Sequence, residues 1–454
     1  MTVFTNRILN MKRIKAIGFD MDYTLVRYNS ENFEKLTFEI VLDKLVNNLG
    51  YPKEILDLKF DFKQVIQGLV IDRQRGNILM VNRFGKVKSA FHGLKPLGFK
   101  EQQRVYGNDI IDLGDQNIQS LDTFFAVSNG VLFGSLVDLK DKGLDIPDYE
   151  TLSYEIKKAL DIVHSDGSLK SEVRKNISRY VVQDPEVATL LERYKRYGKR
   201  LFIATNSEYS YSKLLLDYTI TPFLKEHKHW SELFEITTTL TCKPRFFTER
   251  NSYLKIDIDS EMMLNHDGPL VPGIYQGGSA EKLQTYLDME EDEILYLGDH
   301  IYGDVVQLKK SINWRTGLIL EPLIEEVASI KESTSIQNQI DELMEKKEDL
   351  ELALNDLDLK KREEGGDVDK EKINKYFAQI EVINSKISEL LEEYRKHFNP
   401  HWGQMMRAGQ EESRFADQVE KYACIYMAKV ADLLAYSPKT YFRPAKRVLP
   451  HESV

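Results

Sequence analysis

The sequence predicts an α/β fold: a mostly parallel sheet, a large α+β insertion after its first strand, and a C-terminal helical hairpin. Three observations predict it. Five short runs, "IKAIGFDMDYTLVRY" (14–28), "KRLFIATNSEY" (199–209), "FEITTTLTCKP" (234–244), "DEILYLGDHIYGD" (292–304) and "RTGLILEP" (315–322), carry the β-branched and aromatic residues of buried strands. Helix-like segments follow at least the second and the fourth, and strands alternating with helices imply a parallel sheet covered on both faces. The first four runs end in polar residues. In such a sheet those residues gather beyond the carboxyl ends of the strands, where ligands bind.

The first run ends in Asp20 and Asp22. Side chains two apart in an extended chain point the same way. Carboxylates that close repel, and one takes up a proton unless a cation or a donor sits between them. The segment between the first two runs, residues 29–198, is far too long for a crossover. It must be a domain of its own, placed as a lid over the crevice. It contains strand-like pieces with a turn (68–93) and helical pieces (153–181).

After residue 322 the composition changes. Ile336, Ile340, Leu343, Leu350, Leu354 and Leu357 recur at spacings of three and four, interrupted by Lys347. "REEGGDVD" (362–369) reads as a turn, and Ile373, Tyr376, Ile380, Ile383, Ile387, Leu390 and Tyr394 repeat the seam. Two helices with matching seams make an antiparallel hairpin, whose expected work is self-association. The tail, 400–454, is too apolar for disorder and is expected to return to the body of the protein.

Composition narrows the function. Of 454 residues, 62 are Lys or Arg and 72 Asp or Glu, a formal net charge of −10. That balance argues against a nucleic-acid polymer as partner, which needs a basic surface. Cys242 and Cys424 are the two cysteines, with neither a disulfide framework nor zinc spacing. No apolar run has the length of a membrane span and the N-terminus lacks a signal-peptide pattern. The expectation is a cytoplasmic protein with a small-molecule substrate.

A crevice holding Asp20, Asp22, Asp299 and Asp304 is strongly acidic, and unpaired carboxylates there are costly. Magnesium is the natural candidate to resolve this, since it favours a few carboxylates with water and phosphate oxygens. Thr205 and Lys243, at the ends of the second and third runs, add donors without adding charge of the same sign. A lysine, a hydroxyl and a divalent cation around one point suit a transferring phosphoryl group. A carboxylate nucleophile divides such a reaction into two easier steps, and a second carboxyl can protonate the leaving oxygen and then deprotonate water.

Taken together, "DMDYT", "ATNS", the lysine of "CKP" and "GDHIYGD" resemble the four motifs of the haloacid-dehalogenase-like (HAD) phosphatases. "GFDMDYTLVRY", "HSDGSLK", "ATNSEYSY", "GGSAEKL", "LYLGDHIYGD", "WRTGLI" and "LPHES" resemble one branch more closely, the cytosolic purine 5′-nucleotidases that act on IMP and GMP. The resemblance runs over nearly the whole chain apart from 330–398. It implies a Rossmann-like core (1–32 and 190–325), a cap (33–189), a helical hairpin (326–399) and a C-terminal segment (400–454). It implies Asp20 as nucleophile and Asp22 as acid/base. Mg²⁺ would be held by the Asp20 carboxylate, the Asp22 backbone carbonyl and Asp299. Thr205 and Lys243 would bind phosphate, and Asp304 would order the lysine. In the cap it places Lys157, Asp161, His164 and Lys170 at the purine nucleotide and Phe125 on the base, with Asn206 and Ser207 completing the pocket. Lys157 stands where the branch has an arginine, and Glu208 where an aspartate is usual. The resemblance thus implies a purine 5′-nucleotidase with possible phosphotransfer to nucleosides. A phosphatase of another small ester, such as a sugar phosphate, and an inactive scaffold acting through its hairpin are the alternatives.

Overall fold

A computed structural model describes residues 2–258, 260–363, 365, 370–446 and 450–452. Residues up to Glu321 and those from Met405 onward form one compact unit, and Pro322–Gln404 forms another.

The first unit is built on a ten-stranded sheet. Its strands in chain order are β1 (Val3–Thr5), β2 (Ala16–Phe19), β3 (Arg200–Ala204), β4 (Ile236–Thr239), β5 (Tyr253–Ile256), β6 (Met263–His266), β7 (Gly273–Gly277), β8 (Ile294–Gly298), β9 (Arg315–Ile319) and β10 (Ile425–Met427). Across the sheet the order is β1-β10-β9-β8-β2-β3-β4-β7-β5-β6. The strands from β10 to β7 are parallel, with β1 antiparallel at one edge and the β5–β6 hairpin antiparallel at the other. All five apolar runs become adjacent central strands. The reason is burial on both faces: every residue of β2, β4 and β8 is buried, as a strand covered by helices requires.

The chain leaves this sheet through Arg27–Tyr28 and comes back through Val181–Val182, and these two short strands pair with each other. Between them lies a second, five-stranded antiparallel sheet, in the order Lys95–Pro96, Val87–His92, Asn77–Val81, Val70–Asp72, Ile118–Ser120. Helices Ser30–Leu49, Val127–Asp141 and Tyr149–Ser165 pack together beside it. Ser30–Leu49 is capped at one end by Asn29 and stopped at the other by left-handed Gly50. The tail enters the main sheet as β10, with Cys424 N donating to the Thr316 carbonyl.

The second unit is a helical hairpin, Leu323–Glu363 with Lys370–Arg395. Ile336, Ile340, Ile387 and Leu390 are buried in its seam, with Leu343, Ile383 and Tyr394 packed against them. The longer helix, at 41 residues, would run roughly 60 Å. The turn expected at 362–369 lies mostly outside the described residues. No described helix is long and apolar enough to cross a membrane.

Candidate active site

Four strand ends of the parallel sheet converge. Asp20 follows β2, and its backbone N–H donates to the Leu297 carbonyl of β8 at 2.8 Å. Thr205 follows β3, and its N–H donates to the Thr238 carbonyl of β4 at 2.9 Å. The ladder therefore runs one residue past each strand and fixes both side chains at the sheet's rim. Beyond β8, Asp299 is buried, and the π-helical turn Ile301–Val306 carries Asp304, wholly buried. Asp304 N–H donates to the His300 carbonyl at 2.8 Å, and His300 N–H donates to Asp304 Oδ2 at 3.2 Å. Only glycine fits before them: a Cβ on Gly298 would stand 2.3 Å from Asp304 Oδ2.

Lys243 reaches this group from the loop after β4. Its Nζ lies 2.9 Å from Asp20 Oδ1 and 2.7 Å from Asp304 Oδ1. The loop is backbone-strained, since Leu240 and Cys242 both have positive φ without being glycine. A network over-determines it. Leu240 N–H donates to the Ser207 carbonyl, and Thr241 N–H donates to the Thr205 carbonyl. Asn206 Oδ1 accepts from Thr241 Oγ1 at 2.9 Å and from Lys243 N–H at 2.6 Å. The Asn206 side chain thus staples the lysine loop to the end of β3.

Asp22 is held separately. Tyr28 O–H donates to its Oδ1 and Ser207 Oγ–H to its Oδ2, each at 2.6 Å. Tyr23, the next residue, again has positive φ. The following helix, Tyr209–Thr219, has Glu208 at its N-cap, and Ser207 turns to Asp22.

The electrostatics follow from burying four acids with one lysine. Burial, with the neighbouring Asp304, raises Asp20 to about 6 against the pull of Lys243. Burial and Asp20 raise Asp22 to about 6, against the hydrogen bonds of Ser207 and Tyr28. Asp299 is pushed well above the carboxylate range by burial, Asp20 and Asp304. Burial disfavours the Lys243 ammonium, but Asp20 and Asp304 outweigh it and hold the lysine charged. Asp20, Asp299 and Asp304 offer carboxylate oxygens within 4.8 Å of one another. An oxygen-rich, net negative set of that size fits a hard divalent cation. The Asp22 side chain stands outside this trio.

From the inserted segment, Phe125 meets Tyr23 edge-on at 4.8 Å and His164 at 5.7 Å. Burial and Lys170 lower His164 to about 4, so the imidazole is neutral. Lys170 Nζ lies 3.4 Å from Glu208 Oε2 and 5.7 Å from the centre of the Tyr211 ring. The structure therefore brings Phe125 against Tyr23 and Lys170 against Glu208 and Tyr211, while His164 packs on Phe125 within the inserted segment. Lys157 and Asp161 are exposed on Tyr149–Ser165, and neither side chain is tied to the strand-end cluster. Two participants are absent from the sequence reading, Tyr28 and Tyr296. Tyr28 closes the quoted run "DMDYTLVRY", where its hydroxyl could have been sought as a partner for Asp22.

Sequence comparison places the whole chain. A model of the 5′ nucleotidase family matches residues 3–454. The chain belongs to the 5′ nucleotidase family. Membership makes it a phosphoric monoester hydrolase. Among its relatives is a 5′-nucleotidase domain-containing protein of Dictyostelium discoideum, 26% identical over 460 residues, spanning 99% of this chain and 74% of that one. Another is 5′-nucleotidase domain-containing protein 2 of Rattus norvegicus, 25% identical over 471 residues, 99% of this chain and 80% of that one. Among solved structures, an archaeal β-phosphoglucomutase from Pyrococcus aligns with a TM-score of 0.32 and 14% identity, over 67% of this chain and 86% of that one. A likeness that loose carries no inference about this member of the family.

Proposed function

We propose that this member of the 5′ nucleotidase family is a Mg²⁺-dependent enzyme that hydrolyses purine nucleoside monophosphates, IMP or GMP, to nucleoside and phosphate. The observation that carries the chemistry is the Asp20–Lys243–Asp304 array, gathered beyond the carboxyl ends of β2, β4 and β8 of one parallel sheet. In this reading residues 33–189 are the cap and Asp20 is the nucleophile, attacking phosphorus to form an aspartyl-phosphate. Asp22, raised to about 6, is suited to give a proton to the leaving ribose oxygen and then take one from water. Ser207 and Tyr28 hold its carboxyl in place between the two steps. Thr205 and Lys243 bind the phosphate oxygens, and Asp304 fixes the lysine. Asp20, Asp299 and Asp304, with the Asp22 carbonyl, are the groups that would hold or order Mg²⁺. When bound there, Mg²⁺ supplies positive charge that offsets the crowded carboxylates and the charge on the phosphoryl oxygens. Phe125, His164 and Lys170 would meet the nucleotide from the cap, with neutral His164 able to accept or donate to a base edge. Transfer of the same phosphoryl group to a nucleoside is a second outcome of this intermediate.

A panel of phosphate monoesters with and without magnesium tests the reading. IMP or GMP should lead the panel, and chelation should stop turnover. Sugar phosphates well ahead of both would overturn the substrate assignment and leave the phosphatase in place.

A further inference from the structure

We propose that Tyr296 is a positioning residue: its hydroxyl sets the Lys243 ammonium in line with the nucleophile by linking it to the phosphate-binding end of β3. The inference rests on the phosphatase reading above and deepens it.

Tyr296 is the third residue of β8 and is wholly buried. A tyrosine hydroxyl in such a place needs partners. It has two, both belonging to the site. Lys243 Nζ donates to the Tyr296 oxygen at 3.1 Å, and Tyr296 O–H donates to the Ala204 carbonyl at 2.7 Å. Ala204 is the last residue of β3, directly before Thr205. One oxygen thus links Lys243 to the backbone directly before Thr205, the other residue assigned to the phosphate. An ammonium can give three hydrogen bonds. Nζ lies 2.9 Å from Asp20 Oδ1, 2.7 Å from Asp304 Oδ1 and 3.1 Å from the Tyr296 oxygen, so its place is defined by residues that follow β2 and β8 and by one within β8. The two acids hold the ammonium by charge; the neutral hydroxyl adds a further contact without adding charge.

The sequence makes room for this ring. Tyr296 lies opposite Gly18 in the β2–β8 register, and a Cβ on Gly18 would come within 2.2 Å of the Phe202 ring and 2.8 Å of the Tyr296 ring. The Phe202 and Tyr296 rings stack with centroids 6.3 Å apart. Glycine two residues before the nucleophile is what lets the tyrosine cross beneath it. The interior of "ILYLGD" reads as an ordinary buried strand, and nothing in its pattern marks the hydroxyl for the site.

The test is Tyr296→Phe, which removes one oxygen and keeps the ring in its slot. Orthovanadate, a phosphate mimic, is titrated by calorimetry with magnesium present, and hydrolysis of p-nitrophenyl phosphate is followed, because neither depends on base recognition. Loss of a hydrogen bond to a charged group should weaken orthovanadate and lower kcat by about tenfold each. The same change made on Lys243→Met should alter orthovanadate affinity by less than about twofold, because Tyr296 acts through the lysine. Equal loss in both backgrounds, or parental kinetics in Tyr296→Phe, would overturn the proposal. A parent protein that binds no orthovanadate would instead sink the phosphate reading, and this inference with it.

Discussion

At the scale of single residues, the site separates carboxyls that differ in what surrounds them. Asp20 faces an ammonium, Asp22 faces two hydroxyls, and Asp299 faces other acids. Asp20→Asn removes the nucleophile and should lower kcat by on the order of a thousandfold or more, with the fold intact by circular dichroism. Parental turnover would contradict its role. Away from the site, Glu34 is a useful control on the electrostatics. It is wholly buried and accepts from Ser128 N–H at 2.9 Å, while Oε1 finds no hydrogen-bond donor among the described residues. Burial pushes it from 4.5 to about 7. The folded state then holds a proton the unfolded state has lost, so its stabilising contribution is full below about 4.5 and disappears as pH rises through about 7. A shift of that size corresponds to roughly 3 kcal/mol across the window. Glu34→Gln cannot ionise and still offers an oxygen to Ser128. Its melting temperature relative to the parent should therefore climb between about pH 5 and about pH 8. A constant difference would show that Glu34 is not protonated on folding.

At the scale of elements, the strands were legible and the loops that carry chemistry were less so. Each of the five apolar runs became a strand of the central sheet because burial on both faces leaves a near-continuous hydrophobic signature. β5, β6 and β7 lie outside those runs. β6 is largely exposed and β7 is bracketed by glycines, so neither shows that signature. "CKP" carries almost no local signal, because Lys243 is aimed by strain at Leu240 and Cys242 and by the Asn206 staple, contacts between segments distant in sequence. Asn206, expected in the substrate pocket, has its side chain engaged there. Gly298→Ala should test how tightly the π-helical turn fits. A methyl 2.3 Å from Asp304 Oδ2 must displace that carboxylate, and overpacking of this kind costs about 1–3 kcal/mol. Activity should fall by more than the change in melting temperature explains; full activity would mean that Asp304 need not hold its present place. In the hairpin, the seam of threes and fours was legible because helical period alone produces it. Ile340 and Ile387 are buried there, so Ile340→Asp should melt the hairpin, seen as lost helical ellipticity. An unchanged spectrum would argue against that seam.

At the scale of the molecule, the resemblance in the strand-end motifs and the match over residues 3–454 lead to the same family from different directions. Contacts of the inserted segment were harder to read. Phe125 reaches Tyr23, Lys170 reaches Glu208 and His164 packs on Phe125, while Lys157 and Asp161 sit exposed, because helix Tyr149–Ser165 turns only one face inward. The hairpin bears exposed Leu352, Leu359, Phe377 and Val382, and we propose that it mediates self-association. Its removal should lower the mass seen by light scattering and leave p-nitrophenyl phosphate hydrolysis in place; an unchanged mass would contradict that role. The central claim, that acids gathered at strand ends let one of them attack phosphorus, has a direct measurement. Enzyme turning over a purine monophosphate with magnesium is quenched in acid, and the peptide containing Asp20 is weighed by mass spectrometry. A phosphoryl group on Asp20 is the expected result; steady turnover with that peptide never modified would contradict the account.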